Sequence, residues 1–312
     1  MAVSTLLVTK IKGLEQALES LAPSGIEWVR TKDDVATREA IGAAEIILAD
    51  PNLIAPHLAG APSLKWLQAT FAGIEPLMRD GHRSDYQLTR IKGIFGSQMA
   101  EYVLGHILAR ERNIVGLRKD QERHQWHPRV PRKLSSLTLG ILGAGDIGGA
   151  VAKAAGQFGM AAWGLRSGEG AVDGVDRIFT REQMAPFLAG SDYLVNILPS
   201  TPDTVGLLSG DRLKACKPGA VLINIGRGDV IDEESLVRAI ESGWISGAIL
   251  DVFATEPLPA ESPLWELPEV TVTPHVAASS FPADVVKIFG ENLERYLSGR
   301  PLAHLVDWSK RY

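Results

Sequence analysis

The sequence predicts an α/β protein made of two doubly wound parallel-sheet domains. Short apolar runs alternate with helical patterns along nearly the whole chain, and such alternation implies parallel strands faced by helices. One run, residues 137–142, stops abruptly at Gly143-Ala144-Gly145-Asp146-Ile147-Gly148 before an Ala-rich helical segment. At 312 residues the chain also exceeds the roughly 100–200 residues usual for one domain.

From the N-terminus, residues 5–9, 26–29, 46–49 and 65–68 read as short strands, with helical segments at 13–20 and 33–41. They outline a first, smaller α/β domain. From Ser97 a long amphipathic stretch, SQMAEYVLGHILARERNIVG, leads away from it. Its apolar residues exceed what one short helix needs to dock, which points to a second copy of the chain and hence a homodimer.

The glycine turn follows. A side chain at Gly143 would obstruct the tight turn, one at Gly145 would keep the backbone from a pyrophosphate, and one at Gly148 would hold the helix off the strand. N–H groups of Ala144, Asp146 and Ile147 at the helix start then face the phosphates. Beyond it, residues 161–165, 193–198, 220–225, 247–251 and 270–273 read as further strands. Thr180 with Gln183 fits a capping box, and Asp232 an N-cap ahead of a helix at 233–242. Six parallel strands with the glycine turn after the first make a Rossmann arrangement. A last amphipathic helix, residues 282–298, reads as packed back on the first domain.

Composition narrows the function classes. A net charge of −5 with a pI near 5.8 gives no basic footprint for nucleic acid, so an anionic substrate must meet local cations. A single cysteine, Cys216, reads as a small apolar residue before a turn and fits a reducing, cytoplasmic compartment. The N-terminal apolar run is too short for a signal peptide, and no run approaches about 18 apolar residues, so no membrane is expected. No Cys/His spacing would hold a metal.

An acidic residue about 20 positions past the glycines marks binding of the ribose 2′-OH of NAD. This chain has Arg166 and Ser167 there, which suit a 2′-phosphate, so NADP(H) is preferred over NAD(H). At the ends of later strands stand Arg227 in INIGRGDVID, Glu256 in LDVFATEPLP and His275 in TVTPHVAAS. Read singly they are a surface arginine, a loop before a proline and a capping histidine. Glycines on both sides of Arg227, however, suit a backbone that passes close to something. The residue types suit a joint chemistry: a guanidinium can clamp a substrate carboxylate, a histidine supplies a proton near neutral pH, and a carboxylate orients the imidazolium.

With GILGAGDIGG, NILPSTPDT, CKPGAVLINIGRGDVIDEESL, LDVFATEPLP followed by PLW, and TPHVAA in order, the chain resembles the NAD(P)-dependent D-2-hydroxyacid dehydrogenases. It is most similar to the glyoxylate/hydroxypyruvate reductase branch. The resemblance implies a discontinuous, flavodoxin-like substrate domain at 1–97 and 279–312 and a Rossmann domain at 98–278. It implies catalysis by Arg227, Glu256 and His275, and adds Leu198, Pro199, Thr204, Ile225, Gly226, Asp251 and Ala277 to the cofactor contacts, with Arg227 and His275 shared. Ala72 and Gly73, in a loop where Phe71 and Glu75 replace the family's serine and aspartate, would bind the substrate carboxylate beside Arg227 and His275. Met99 sits where the family packs a residue on the nicotinamide, or is a core methionine. Trp126 closes the pocket, from the same or a partner subunit, or is core or interface. Phe71 and Trp265 bear on pocket width, and hinge closure would exclude water. Two readings follow: an NADPH-dependent reductase of glyoxylate, hydroxypyruvate or a related 2-oxo acid, and an NAD(P)H-sensing protein akin to dehydrogenase-like corepressors.

Overall fold

The computed structural model describes residues 2–21, 25–79, 81–168 and 170–309. The chain forms two compact units, Met1–Ile94 with Ser280–Tyr312, and Phe95–Ser279.

The first unit holds a five-stranded parallel sheet of β1 (Val3–Val8), β2 (Ile26–Thr31), β3 (Ile46–Ala49), β4 (Trp66–Ala69) and β5 (Gln87–Thr89), ordered β2-β1-β3-β4-β5. That is the flavodoxin-like order. Strands β3 and β4 are buried along their whole length, as a sheet covered on both faces requires. Helices α1 (Leu14–Leu18), α2 (Asp34–Ala40) and α3 (Pro51–Ile54) connect them. Asp33 caps α2 by accepting the Ala36 N–H at 2.9 Å. The chain's last helix, Pro282–Leu297, returns to this sheet, where Phe289 stacks on Trp66 at 5.2 Å and buried Asn292 donates to Gln68 Oε1 at 3.1 Å.

The second unit opens with α4 (Phe95–Glu111) and α5 (Ile114–Glu122). The stretch that reads as one helix is therefore two, broken at Asn113 with φ 51°. Its sheet is all parallel: β6 (Thr138–Leu142), β7 (Ala161–Leu165), β8 (Arg177–Phe179), β9 (Tyr193–Asn196), β10 (Val221–Asn224), β11 (Gly247–Leu250) and β12 (Val270–Val272), ordered β12-β11-β10-β9-β6-β7-β8. Helices α6 (Asp146–Gly156), α7 (Met184–Gly190) and α8 (Glu233–Glu241) pack on it. The Thr180–Gln183 capping box and the Asp232 cap of α8 both form. Two strands escape the sequence reading, β5 and β8, so this sheet has seven strands and not six. Both lie at sheet edges and span three residues, too short to show a period.

The order of the larger sheet reverses between β6 and β9. Open α/β sheets bind ligands beyond the carboxyl ends of their strands at such a reversal. There the glycine turn emerges.

Candidate functional site

The three glycines of the turn answer to three different constraints. Gly143 has φ 94°, and a Cβ there would stand 3.2 Å from the Ile197 and Leu198 backbone. At Gly148 a Cβ would meet the Gly143 carbonyl oxygen at 2.9 Å and Ile141 at 3.2 Å, so helix α6 sits tight on β6 only because the position is bare. A Cβ at Gly145 would meet no protein atom within 4 Å. The protein's own packing thus does not demand that glycine, and the bare backbone there leaves the close approach that a dinucleotide pyrophosphate would need. Arg166 follows β7, with its guanidinium over Gly168, where a Cβ would be 2.8 Å from Nη2.

At the carboxyl end of β10, buried Asn224 and its neighbour Asn196 on β9 tie two loops together. Asn196 Nδ2 donates to Asn224 Oδ1 at 2.8 Å, Leu198 N donates to Asn196 Oδ1 at 3.2 Å, and Asn224 Nδ2 donates to the Arg227 carbonyl at 3.1 Å. The close approach expected from the glycines around Arg227 is present. A Cβ at Gly226 would meet the Leu198 oxygen at 2.7 Å, and one at Gly228 would fall 1.9 Å from the Phe253 carbonyl carbon.

Phe253 in turn holds the carboxylate: its N–H donates to Glu256 Oε1 at 2.9 Å, and Glu256 Oε2 accepts from His275 Nδ1 at 2.8 Å. A carboxylate only accepts, so Nδ1 carries its hydrogen and Nε2 is left as the outward atom. The Glu256 hydrogen bond raises the His275 pKa from its ordinary value; burial opposes this, the charges of Glu256 and Asp251 add to it, and Arg227 subtracts. Burial pushes Glu256 up, but the bonds from His275 and Phe253, with the His275 and Arg227 charges, leave it below the ordinary carboxylate value. The pair is half-exposed and open to solvent.

Asp251, expected among the cofactor contacts, is 1% exposed with both oxygens engaged by Thr273 Oγ1 at 2.6 Å, Val276 N at 2.8 Å and Ala277 N at 2.8 Å. Its carboxylate therefore shapes the His275 loop. Thr204 similarly turns its hydroxyl inward onto the Pro199 carbonyl at 2.6 Å. Ile225 and Ala277 are buried at these strand ends. Met99 lies on α4 and packs against a buried cluster that includes Ile249 and Ala277. Trp126 is 94% exposed, and Trp265 donates its indole N–H to the Pro259 carbonyl at 2.9 Å.

In the first unit the loop after β4 starts at buried Thr70, whose hydroxyl donates to Asp50 Oδ1 at 2.5 Å. Asp50 also accepts from Thr9 Oγ1 and Lys10 N, both at 2.7 Å, so one carboxylate joins the ends of β1, β3 and β4. Among the described residues no acceptor takes the N–H of Ala72 or Gly73. Sequence reading missed Asp50, Asn196, Asn224, Thr273 and Tyr102. The signal for the two asparagines was present, since a polar residue closing an otherwise apolar strand is a recurring mark of a strand-end network. Among the described residues no group of three or more His, Cys, Asp or Glu side chains could hold a metal ion, and no helix is long and apolar enough to cross a membrane.

A dinucleotide turn at the sheet's reversal and an Arg, Glu and His set on neighbouring strand ends define a nicotinamide-dependent oxidoreductase. The profile of the D-isomer specific 2-hydroxyacid dehydrogenase NAD binding domain matches residues 104–277. Glyoxylate/hydroxypyruvate reductase A of Serratia proteamaculans is 35% identical over 261 residues, 81% of this chain and 83% of that one. A D-isomer specific 2-hydroxyacid dehydrogenase family protein from Aeromonas salmonicida superposes with a TM-score of 0.93 at 38% identity, over 99% of this chain and 100% of that one. The NADPH-dependent glyoxylate/hydroxypyruvate reductase of Sinorhizobium meliloti, solved with NADP and sulfate, gives 0.89 at 28% identity with the same coverage. The chain belongs to the D-isomer specific 2-hydroxyacid dehydrogenase family.

Proposed function

We propose that the chain reduces a small 2-oxo acid, glyoxylate, hydroxypyruvate or a close relative, to the D-2-hydroxy acid with NADPH. The observation that carries this reading is the 2.8 Å His275–Glu256 pair, within reach of the Arg227 charge, at the carboxyl ends of a parallel sheet. The relatives named as glyoxylate/hydroxypyruvate reductases support the substrate class. The bound nicotinamide supplies the hydride. Arg227 holds the substrate carboxylate and so orients the carbonyl, with the Ala72 and Gly73 N–H groups as further proposed carboxylate donors. His275 Nε2 gives its proton to the carbonyl oxygen, and Glu256 keeps the ring charged and turned. NADPH oxidation over a panel of 2-oxo acids tests the proposal. NADP(H) binding without turnover of any acid would instead support the nucleotide-sensing reading.

The 2′-phosphate is assigned to Arg166 with Ser167. An arginine pairs bidentately with a phosphate and has no comparable use for a ribose hydroxyl. Arg166→Ala is expected to lower kcat/KM with NADPH by about 10–100-fold and to leave NADH little changed. Equal losses with both cofactors, or NADH preference in the parent enzyme, would refute the assignment.

The working unit is proposed to be a homodimer in the cytoplasm. Trp126 and Val130 are 94% and 98% exposed, and Ile114, Val115 and Leu117 of α5 are exposed as well, so this segment presents an apolar surface that a second copy would cover. Light scattering should give about twice 33.6 kDa. A monomeric mass, or sedimentation with membranes on fractionation, counts against this.

A further inference from the structure

Helix α4 and the loop that carries His275 are joined at two places. Gln98 holds the main chain of Ser279 from both sides, its Oε1 accepting from Ser279 N at 2.9 Å and its Nε2 donating to the Ser279 carbonyl at 3.1 Å. Four residues along the same helix face, the Tyr102 hydroxyl lies 2.7 Å from Thr273 Oγ1. The direction of that bond follows from its neighbour. Thr273 gives its one hydrogen to Asp251 Oδ1 at 2.6 Å, so Tyr102 is the donor and the chain runs Tyr102 to Thr273 to Asp251. Asp251 then holds Val276 N and Ala277 N through its carboxylate, and its carbonyl accepts the His275 N–H at 2.9 Å.

Segment 273–279 is thus fixed at both ends by one helix face and in its middle by a buried carboxylate that the same helix reaches. The fixation has a purpose at His275, whose φ is 54°, in the left-handed region. A non-glycine residue there is strained and persists only where its surroundings over-determine it. Burial holds the Tyr102 phenol up at about 12, so it stays a donor throughout the range in which the protein would be assayed.

We infer that Gln98 and Tyr102 are positioning residues for His275: α4 sets the loop so that the imidazole stands against Glu256, and neither residue acts on the substrate. This rests on the reading of His275 as proton donor.

Tyr102→Phe removes one oxygen and keeps the ring beside His106, 4.4 Å away between centroids. Its kcat for 2-oxo acid reduction should fall about 5- to 30-fold, with KM and NADPH affinity within about twofold of the parent. The basic limb of its pH–kcat profile should move to lower pH as the imidazole loses its register on Glu256. Thr273→Val should behave alike, Thr273→Ser should restore the rate, and the Tyr102→Phe/Thr273→Val double variant should be no worse than Thr273→Val alone, because both hydroxyls serve one relay. Gln98→Leu should show the same drop in kcat and carries the test if Tyr102→Phe does not fold. An unchanged kcat and pH profile in these variants, in a protein that His275→Ala inactivates, would overturn the inference. Normal turnover by His275→Ala would overturn the reading beneath it.

Discussion

Replacing His275 with alanine is expected to lower kcat for reduction by about 10²–10⁴-fold while NADPH binding is retained. The imidazole is the titratable donor turned outward by Glu256, and the dinucleotide contacts proposed for the glycine turn and Arg166 do not run through it. The same pair sets the pH dependence. Reduction needs the imidazolium, and the folded pKa of His275 lies above the ordinary value because Glu256 accepts its hydrogen bond, against the opposing effect of burial. Activity should therefore hold through about pH 6.5 and fall as pH rises through the raised value. Stability linked to His275 follows the same course, present below about 6.5 and lost as pH passes the folded pKa. Glu256 has its folded pKa lowered, so its contribution is present above the ordinary carboxylate value and lost on acidification through the depressed one. Glu256→Gln should bring the basic limb of the kcat profile to lower pH. An unmoved limb, or near-parental turnover in His275→Ala, would sink the assignment.

Much of this was legible because apolar runs and glycines report packing directly. Strands β9, β10 and β11 are buried at every position and read as apolar stretches, β9 and β10 closing on Asn196 and Asn224. Gly226 and Gly228 announced a tight backbone, and the clashes a Cβ would make explain why. What stayed hidden depends on contacts between residues far apart in sequence. Asp50 stands at the start of α3 but its side chain caps nothing and instead gathers Thr9, Lys10 and Thr70. Tyr102 and Gln98 sit in a long helix where either residue passes for surface; their partners at 273 and 279 lie 171 and 181 positions away. The end of α4 carried a weaker signal, since Asn113 takes the left-handed turn that a glycine more often marks.

Arg227 offers the second large effect. Arg227→Gln is expected to lower kcat/KM by about 10²–10⁴-fold, since losing two charge-assisted hydrogen bonds of about 1.5–3 kcal/mol each leaves the substrate carboxylate poorly held. Arg227→Lys should recover only a minor part, because an ammonium keeps the charge and lacks the fork. The loss should appear with every 2-oxo acid tested, and NADPH binding should change far less. Arg227 also lowers the His275 pKa, opposing Glu256. Its removal should therefore move the basic limb of the pH profile upward, the reverse of Glu256→Gln. The opposed shifts separate a clamp standing beside the imidazole from an arginine that merely supports the fold. A misfolded or loosened site would weaken the His275–Glu256 bond and drag the limb down in both variants, and a downward shift in Arg227→Gln would reject the role given to it.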